Sequence, residues 1–215
     1  MKKKVLSIFI AIIALGSTVM GQEREENMRY VFEDGVDISG FGGATVAFGQ
    51  INDEFAVITG GAGAMLINQR FYIGGFGEGL STQHKRDQVS VEGDEYNNVY
   101  TSFGYGGLWT GYIFQPNNII HLQANVKIGG GAISLTDSFE DLYDDLYDDV
   151  VFVAIPAIGA ELNVLPWLRI GVDVGYRHVG SVDSTKDDLT GVSVFRASDF
   201  NGMQSTVSFM FGGFN

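Results

Sequence analysis

Apolar and polar residues alternate with a period of two along much of this chain. Over residues 120–129 and 168–177, one face of the two stretches holds ten apolar residues in total and the other face holds none. At 45% hydrophobic residues, ten in succession arise by chance roughly 3 times in 10,000, so the pattern predicts β-strands. The apolar residues are Ile120, Leu122, Ala124, Val126 and Ile128 in the first stretch, and Leu168, Ile170, Val172, Val174 and Tyr176 in the second.

Turn-forming residues divide the chain into eight such segments, and each boundary is expected to hold to about three residues. Pro156 falls inside one of them, where it cannot donate a ladder hydrogen bond, so we expect a bulge or a locally broken ladder there. The predicted strands are 37–49, 55–66, 70–82, 98–114, 119–133, 150–163, 168–179 and 202–214.

The connections between these segments alternate in length. Short ones lie at 68–69, 115–118 and 164–166, and long polar ones lie at 83–97, 134–149 and 180–201. The connection 50–54 is short on the long-loop side. Antiparallel hairpins with short turns on one side and long loops on the other are typical of barrels that cross an outer membrane.

The N-terminal segment has the layout of a secretory signal. Three lysines at 2–4 precede an apolar run at 5–15, which passes into small residues. A membrane anchor is the alternative, but the run is shorter than the ~20 residues that a spanning helix needs. We expect cleavage before Gln22. The predicted domains are a signal peptide over 1–21, an N-terminal periplasmic lead over 22–36 and a β-barrel over 37–215.

Composition narrows the class of protein. Only 18% of the 215 residues are charged and 30 are Gly, which argues against a disordered chain and against a helical one. The absence of Cys excludes disulfides, thiolate metal sites and thiol nucleophiles. The formal net charge is −13 and becomes three units more negative without the signal lysines. Nucleic acid is therefore not expected as a partner.

Alternation by itself is compatible with a soluble barrel and with a membrane barrel. A soluble barrel of the lipocalin kind turns its apolar face inward to bind an apolar ligand, whereas a membrane barrel turns that face to lipid. Segment lengths, loop asymmetry and the signal favour lipid. Aromatic residues lie where interfacial girdles would be. On the short-turn side these are Phe71, Tyr72, Tyr112, Phe114, Trp167 and Phe214, and on the long-loop side Phe55, Tyr100, Phe103, Tyr176 and Phe200.

In these features the chain resembles the small eight-stranded bacterial outer-membrane barrels, of the OmpA transmembrane domain and OmpX kind. The resemblance implies an all-β, eight-stranded antiparallel up-and-down transmembrane β-barrel in the outer membrane of a Gram-negative bacterium. It also implies assembly by the outer-membrane barrel assembly machinery, which reads an aromatic residue at the end of the last strand. Here the terminal strand alternates Val207, Phe209 and Phe211, while Phe214 is penultimate and Asn215 follows it.

The charges within the strands lie on the polar face. Eight strands enclose a lumen that side chains can fill, so these charges are expected to form a polar network that plugs the barrel. A narrow gated pore or a small-ligand site is the alternative. Glu161 shares its face with the apolar Val151, Val153 and Ile155, so that inner face is mixed. The predicted lumen network is Lys127, Glu161, Arg169, Asp173 and Arg177.

The connection 134–149 is strongly acidic. Carboxylates so close together repel one another and could gather divalent cations such as calcium, but the spacing is not that of an EF-hand. We expect a solvated acidic loop rather than a metal site. Its members are Asp137, Glu140, Asp141, Asp144, Asp145, Asp148 and Asp149.

Catalytic motifs are scarce. There is no H-E-x-x-H, P-loop or G-x-S-x-G motif, so we expect no enzyme and no cofactor. A lipid-modifying barrel enzyme would use a His with a Ser and an acid at one membrane interface, and His178 with Ser181 and Asp183 is the one candidate set. The sequence therefore predicts a monomeric outer-membrane barrel, in contact with outer-membrane lipid, with a structural or surface-contact and adhesive role. A lipid-modifying enzyme and a soluble ligand-binding barrel are the alternatives.

Overall fold

The alternating segments form a closed antiparallel barrel in the computed structural model, which describes residues 35–91, 94–136, 145–180 and 196–214. Within those ranges there are nine strands and one short helix. They are β1 (Ile38–Ile51), β2 (Glu54–Ile67), β3 (Phe71–Leu80), β4 (Lys85–Val91), β5 (Asp94–Phe114), β6 (Ile120–Thr136), β7 (Asp145–Leu165), β8 (Leu168–Gly180), α1 (Ala197–Phe200) and β9 (Gly202–Gly212).

Eight of the strands form the barrel wall. Each pairs with its sequence neighbour, except that β3 pairs directly with β5, and β1 pairs with β9 to close the ring. At the closure Val46 lies opposite Val207. This up-and-down order confirms the predicted all-β, eight-stranded antiparallel barrel.

The ninth strand corrects one prediction. The connection 83–97 was expected to be a loop, but β4 forms there and pairs with the first part of β5, as in the pair Lys85 and Tyr100. β3 and β4 therefore follow one another along the same edge of β5. Residues 134–136 and 145–149, also predicted as loop, extend β6 and β7. The predicted starts of β5 and β7 were too late by four and five residues, because ladder hydrogen bonds continue these strands where apolar alternation has ended.

Short turns join the strands at one end of the barrel, which we call the short-turn end; the other is the loop end. At the loop end Asn52 and Asp53 have φ of 52° and 62°, and they join β1 to β2 as a two-residue hairpin. Paired left-handed residues match the twist of the flanking strands, and Asn and Asp tolerate this conformation. The connection 50–54, which is short although it lies on the long-loop side, is thus a tight turn.

The predicted disturbance at Pro156 is present. The ladder between β7 and β8 pairs Ala154 with His178 and resumes at Ala157 with Gly175, in unchanged register. Pro156 is exposed and still lies opposite Val126 of β6 on its other side. The missing amide proton thus interrupts one ladder without shifting the strands.

Candidate functional site

The two faces of each strand meet different surroundings. Ile120, Val150 and Ile158 are 66%, 74% and 70% exposed on the outside, whereas Arg169 and Arg177 are 2% and 0% exposed within. This confirms the outward direction of the apolar face. In the soluble alternative the apolar face would instead line a ligand cavity.

The exposed aromatic residues include six of the predicted girdle positions, Phe55, Phe71, Tyr112, Phe114, Trp167 and Tyr176. Three other positions were wrong, because Tyr72, Phe103 and Phe200 are buried inside. Tyr72 follows the outward Phe71, so the pleat turns it inward. Phe103 shares the inward parity of Tyr105, and Phe200 belongs to α1 rather than to a strand. Tyr100 and Phe214 are partly buried.

Aromatic rings fill the lumen near the short-turn end. Phe41 contacts Tyr72 and Trp109 edge-on, with ring centroids 5.5 and 5.6 Å apart. Tyr72 and Trp109 are 4.6 Å apart, and Phe41 also packs on Phe214 at 5.6 Å. Gly111 makes room for this cluster, since a Cβ there would lie 2.5 Å from the Tyr72 hydroxyl. The lumen wall thus carries apolar residues besides the polar ones that the sequence analysis placed there.

A first charged group lies at the short-turn end. His121 Nε2 is 3.0 Å from Glu161 Oε2, and Arg169 Nη1 is 3.8 Å from the same oxygen. Arg169 also donates from Nε to Asn163 Oδ1 at 2.7 Å and lies 4.1 Å above the Phe214 ring. β6, β7, β8 and the segment after β9 are joined through these contacts.

Asp173 forms a second group deeper in the barrel. Its Oδ1 accepts a hydrogen bond from Gln123 Nε2 at 2.8 Å and one from Asn125 Nδ2 at 3.5 Å. The Gln123 carbonyl in turn accepts from the Tyr72 hydroxyl at 3.0 Å. The carboxylate lies against Gly159 of β7, where any side chain would displace it.

The third group is an ion pair between Lys127 and Glu78, which are in direct contact. Glu78 also accepts hydrogen bonds from the hydroxyls of Thr45 at 3.2 Å and Tyr105 at 3.0 Å. Sequence reasoning missed Glu78, because it lies between glycines that obscure the alternation of β3. Its parity with Tyr72 and Phe76 was the available signal.

Arg177 lies beneath the loop end and bonds to neutral partners. Its guanidinium donates to the main-chain oxygens of Phe200 and Gln50, each at 2.7 Å, and to Gln204 Oε1 at 3.2 Å. Phe200 packs on Phe103 with centroids 5.1 Å apart. Arg177 thereby ties α1 to the ends of β1 and β9. The five predicted network residues are all buried. The Tyr105 hydroxyl, which donates to Glu78, also interacts with Arg177, so Arg177 is connected to the third group.

At the loop end, both ring nitrogens of His84 lie close to polar side chains. His84 Nδ1 lies 3.0 Å from Glu54 Oε2, and its Nε2 lies 3.0 Å from the Thr82 hydroxyl. A cavity of about 20 Å³ borders these residues and Phe200, which is room for about one water molecule. No group of three or more His, Asp or Glu side chains suited to a metal occurs in the part of the chain that the structure describes.

The predicted acidic loop is described only in part. Asp137, Glu140, Asp141 and Asp144 lie outside the described residues. Asp145, Asp148 and Asp149 are not in a loop as predicted but in β7, opposite Thr136, Ser134 and Ile133 of β6. Asp149 is buried. The predicted solvated acidic loop is therefore untested for its first four members, and its last three members lie in a strand.

The candidate catalytic set is likewise described only in part. His178 lies on the exposed face of β8, and Ser181 and Asp183 lie outside the described residues. His84 and His121 are buried, with both ring nitrogens of each placed near polar partners. Among the described residues, no helix is long and apolar enough to cross a membrane.

Comparison with solved structures identifies the fold. Neisserial surface protein A aligns over 85% of this chain and 100% of its own, with a TM-score of 0.50 and 10% identity. The attachment invasion locus protein Ail of Yersinia pestis aligns over 81% of this chain and 97% of its own, with a TM-score of 0.44 and 14% identity. No protein-family model matches the sequence, and no curated protein matches it. The chain has the closed eight-stranded fold of small outer-membrane barrels.

Proposed function

We propose that this chain is a monomeric integral β-barrel of the bacterial outer membrane, with a structural or surface-contact role and no enzymatic activity. The observation that carries the proposal is the direction of the two faces. Side chains such as Ile120 and Val150 face outward, and in water they would expose apolar surface that costs about 25 cal/mol per Å². Hydrocarbon removes that cost. The signal over 1–21 and the periplasmic lead over 22–36 belong to this proposal.

Gel mobility tests insertion. The mature chain, folded into detergent or phospholipid vesicles, should migrate differently before and after boiling, because the intact barrel resists dodecyl sulfate. A chain that stays folded and monomeric in plain buffer, without detergent, would contradict the membrane location. Assembly in cells by the barrel assembly machinery is part of the proposal, and depletion of that machinery should leave the chain out of the outer membrane.

A surface-contact role is supported by the height of the wall on one side. β5 and β7 each have 21 residues, which corresponds to strands ~70 Å long and, at a tilt near 40°, to ~50 Å along the barrel axis. The apolar band of such barrels is ~25 Å tall. The loop-end parts of β5, β6 and β7, with β4 paired alongside, therefore extend beyond the band on the cell exterior.

Shortening this wall tests the role. We would replace residues 87–98 by Asn-Gly, which keeps the pairing of Lys85 with Tyr100 and provides a two-residue hairpin turn. Bacteria displaying the shortened chain should adhere to epithelial cells and to one another no better than bacteria with an empty vector, whereas the full chain should increase adhesion. Equal adhesion by both chains at equal surface levels would refute a contact role for the wall.

A closed lumen is the second part of the proposal. It is supported by the buried groups around Glu161, Asp173, Glu78 and Arg177, and by Phe200 at the loop end. In planar bilayers the folded chain should give no stepwise ion current. Sustained current steps would instead favour the gated pore.

The enzyme remains the second candidate because His178 is exposed on the outer face. Lipid extracts from cells with and without the chain should have the same masses if no lipid is modified. A mass change that disappears in His178→Ala would overturn the non-enzymatic assignment.

A further inference from the structure

An apolar groove crosses the outer surface of β5, β6, β7 and β8. Its walls are Phe114 and Leu122 on one side and Ile158 and Val174 on the other, with Ala124 between them. Its volume is about 580 Å³, within the range of ~300–1,000 Å³ that ligand sites occupy. We call this the outer groove.

Strand register explains why the outer groove exists. Ala124 lies opposite Ile158, and Ile158 lies opposite Val174, in one row across the sheet. The row nearer the short-turn end pairs Phe114 with Leu122. Ala124 is the small residue among larger ones, so its place in the surface is a depression. The Gln123 side chain points inward to Asp173, and Gln123 and Gly159 form part of the floor.

From this shape we propose that the outer groove binds one acyl chain of a membrane phospholipid from the leaflet at the short-turn end. The proposal rests on the membrane location proposed above. The outer groove is continuous with the apolar outer face, because its four walls are all exposed there. Hydrocarbon is thus the medium around it, and an acyl chain is the occupant whose chemistry matches an open groove with an almost wholly apolar lining.

The adjacent turn indicates where the headgroup lies. Residues 115–118 follow Phe114 and carry no charge, and Gln115, Asn117 and Asn118 are exposed. Asn118 Nδ2 donates to Gln115 Oε1 at 3.0 Å within the turn. Its second N–H and the amide groups of Gln115 and Asn117 can donate to the ester carbonyls that lie at the boundary between headgroup and hydrocarbon. An uncharged amide turn suits the ester region of a phospholipid better than a bare phosphate.

Retention of lipid tests the groove. We would fold the wild-type chain, Ala124→Phe and the matched control Ala132→Phe into phosphatidylcholine vesicles, extract them into mild detergent and count bound phospholipid by native mass spectrometry. Ala132 is exposed on the same face of β6, away from the outer groove. We expect the fraction carrying one phospholipid to fall about tenfold in Ala124→Phe only, because the phenyl ring would occupy the space at Ala124 that the acyl chain fills.

The other outcomes are decisive. Equal retention by all three proteins, or none by the wild-type chain, would overturn the groove as a lipid site. A wild-type dimer that Ala124→Phe converts to monomer would show instead that a second copy of the chain covers the groove. Failure of the wild-type chain to insert into vesicles would refute the membrane location itself and is seen separately, as a loss of gel mobility difference.

A second measurement needs no substitution. Phosphatidylcholine with a diazirine on its acyl chain, photolysed in vesicles with the wild-type chain, should label Leu122 or Ile158 several times more than the equally outward Met203, which is 61% exposed. Uniform labelling of all three would contradict a preferred site.

Discussion

The ion pair of Lys127 and Glu78 gives the most direct test of how the lumen is stabilised. The side chains are 8% and 1% exposed, so neither charge has more than slight access to water. In Lys127→Met the length of the side chain is kept, but Glu78 loses the cation in direct contact with it and keeps the hydrogen bonds from the hydroxyls of Thr45 and Tyr105. Removing one partner of a buried pair costs about 3–5 kcal/mol.

Because those two hydroxyl bonds remain, we expect the lower end of this range, about 3 kcal/mol. The double variant Glu78→Gln with Lys127→Met has no buried charge at this place and should lie within about 1 kcal/mol of wild type. Arg70→Met removes an exposed cation at a turn and should cost at most about 0.5 kcal/mol.

Urea unfolding in phospholipid vesicles measures these differences. It is followed by gel mobility and by the fluorescence of Trp109, with the exposed Trp167 replaced by Phe in every variant. Trp109 lies opposite Lys127 in the sheet, so its fluorescence reports the affected region. If the single and double variants lose the same stability, the cost does not come from an unpaired carboxylate, and the reasoning fails.

Two further predictions concern the outer and inner faces. Val172→Arg on the exposed face should destabilise the barrel in lipid by about 2–4 kcal/mol and block insertion, while Gln123→Arg beside the buried Asp173 should be milder; equal insertion yields would refute the assigned faces. Gly111→Ala brings a methyl group against Tyr72 and should cost about 1–3 kcal/mol. Gly77→Ala, whose added carbon has nothing within 4 Å, should change the urea midpoint little, and equal shifts would contradict the packing argument.

Periodicity of two carries most of the information about the barrel wall. In β6 and β8 each polar residue between apolar ones is turned inward by the pleat, so the inward direction of Lys127 and Arg177 followed from spacing. The interruption at Pro156 followed from its missing amide proton. Such features depend on a residue and its nearest neighbours in the chain, which the sequence contains.

Contacts between residues far apart in the sequence could not be predicted from periodicity. Arg177 meets the main chain of Gln50, 127 positions away, and that contact depends on the closure of β1 on β9. Periodicity places a side chain on a face but leaves its height and its partner undetermined. Spacing therefore predicted five buried lumen residues but not their partners, such as Glu78 for Lys127.

The ends of the strands at the loop end also could not be predicted from periodicity. β4 and the first residues of β5 and β7 lie where apolar alternation has stopped. Main-chain pairing alone continues the sheet there. Sequence by itself determined the number of barrel strands and which face of each is apolar, since these depend on the alternation of neighbouring side chains. Only tertiary structure decided which buried charges pair, how far the wall extends and where the outer surface is grooved, because register across the sheet brings those residues together.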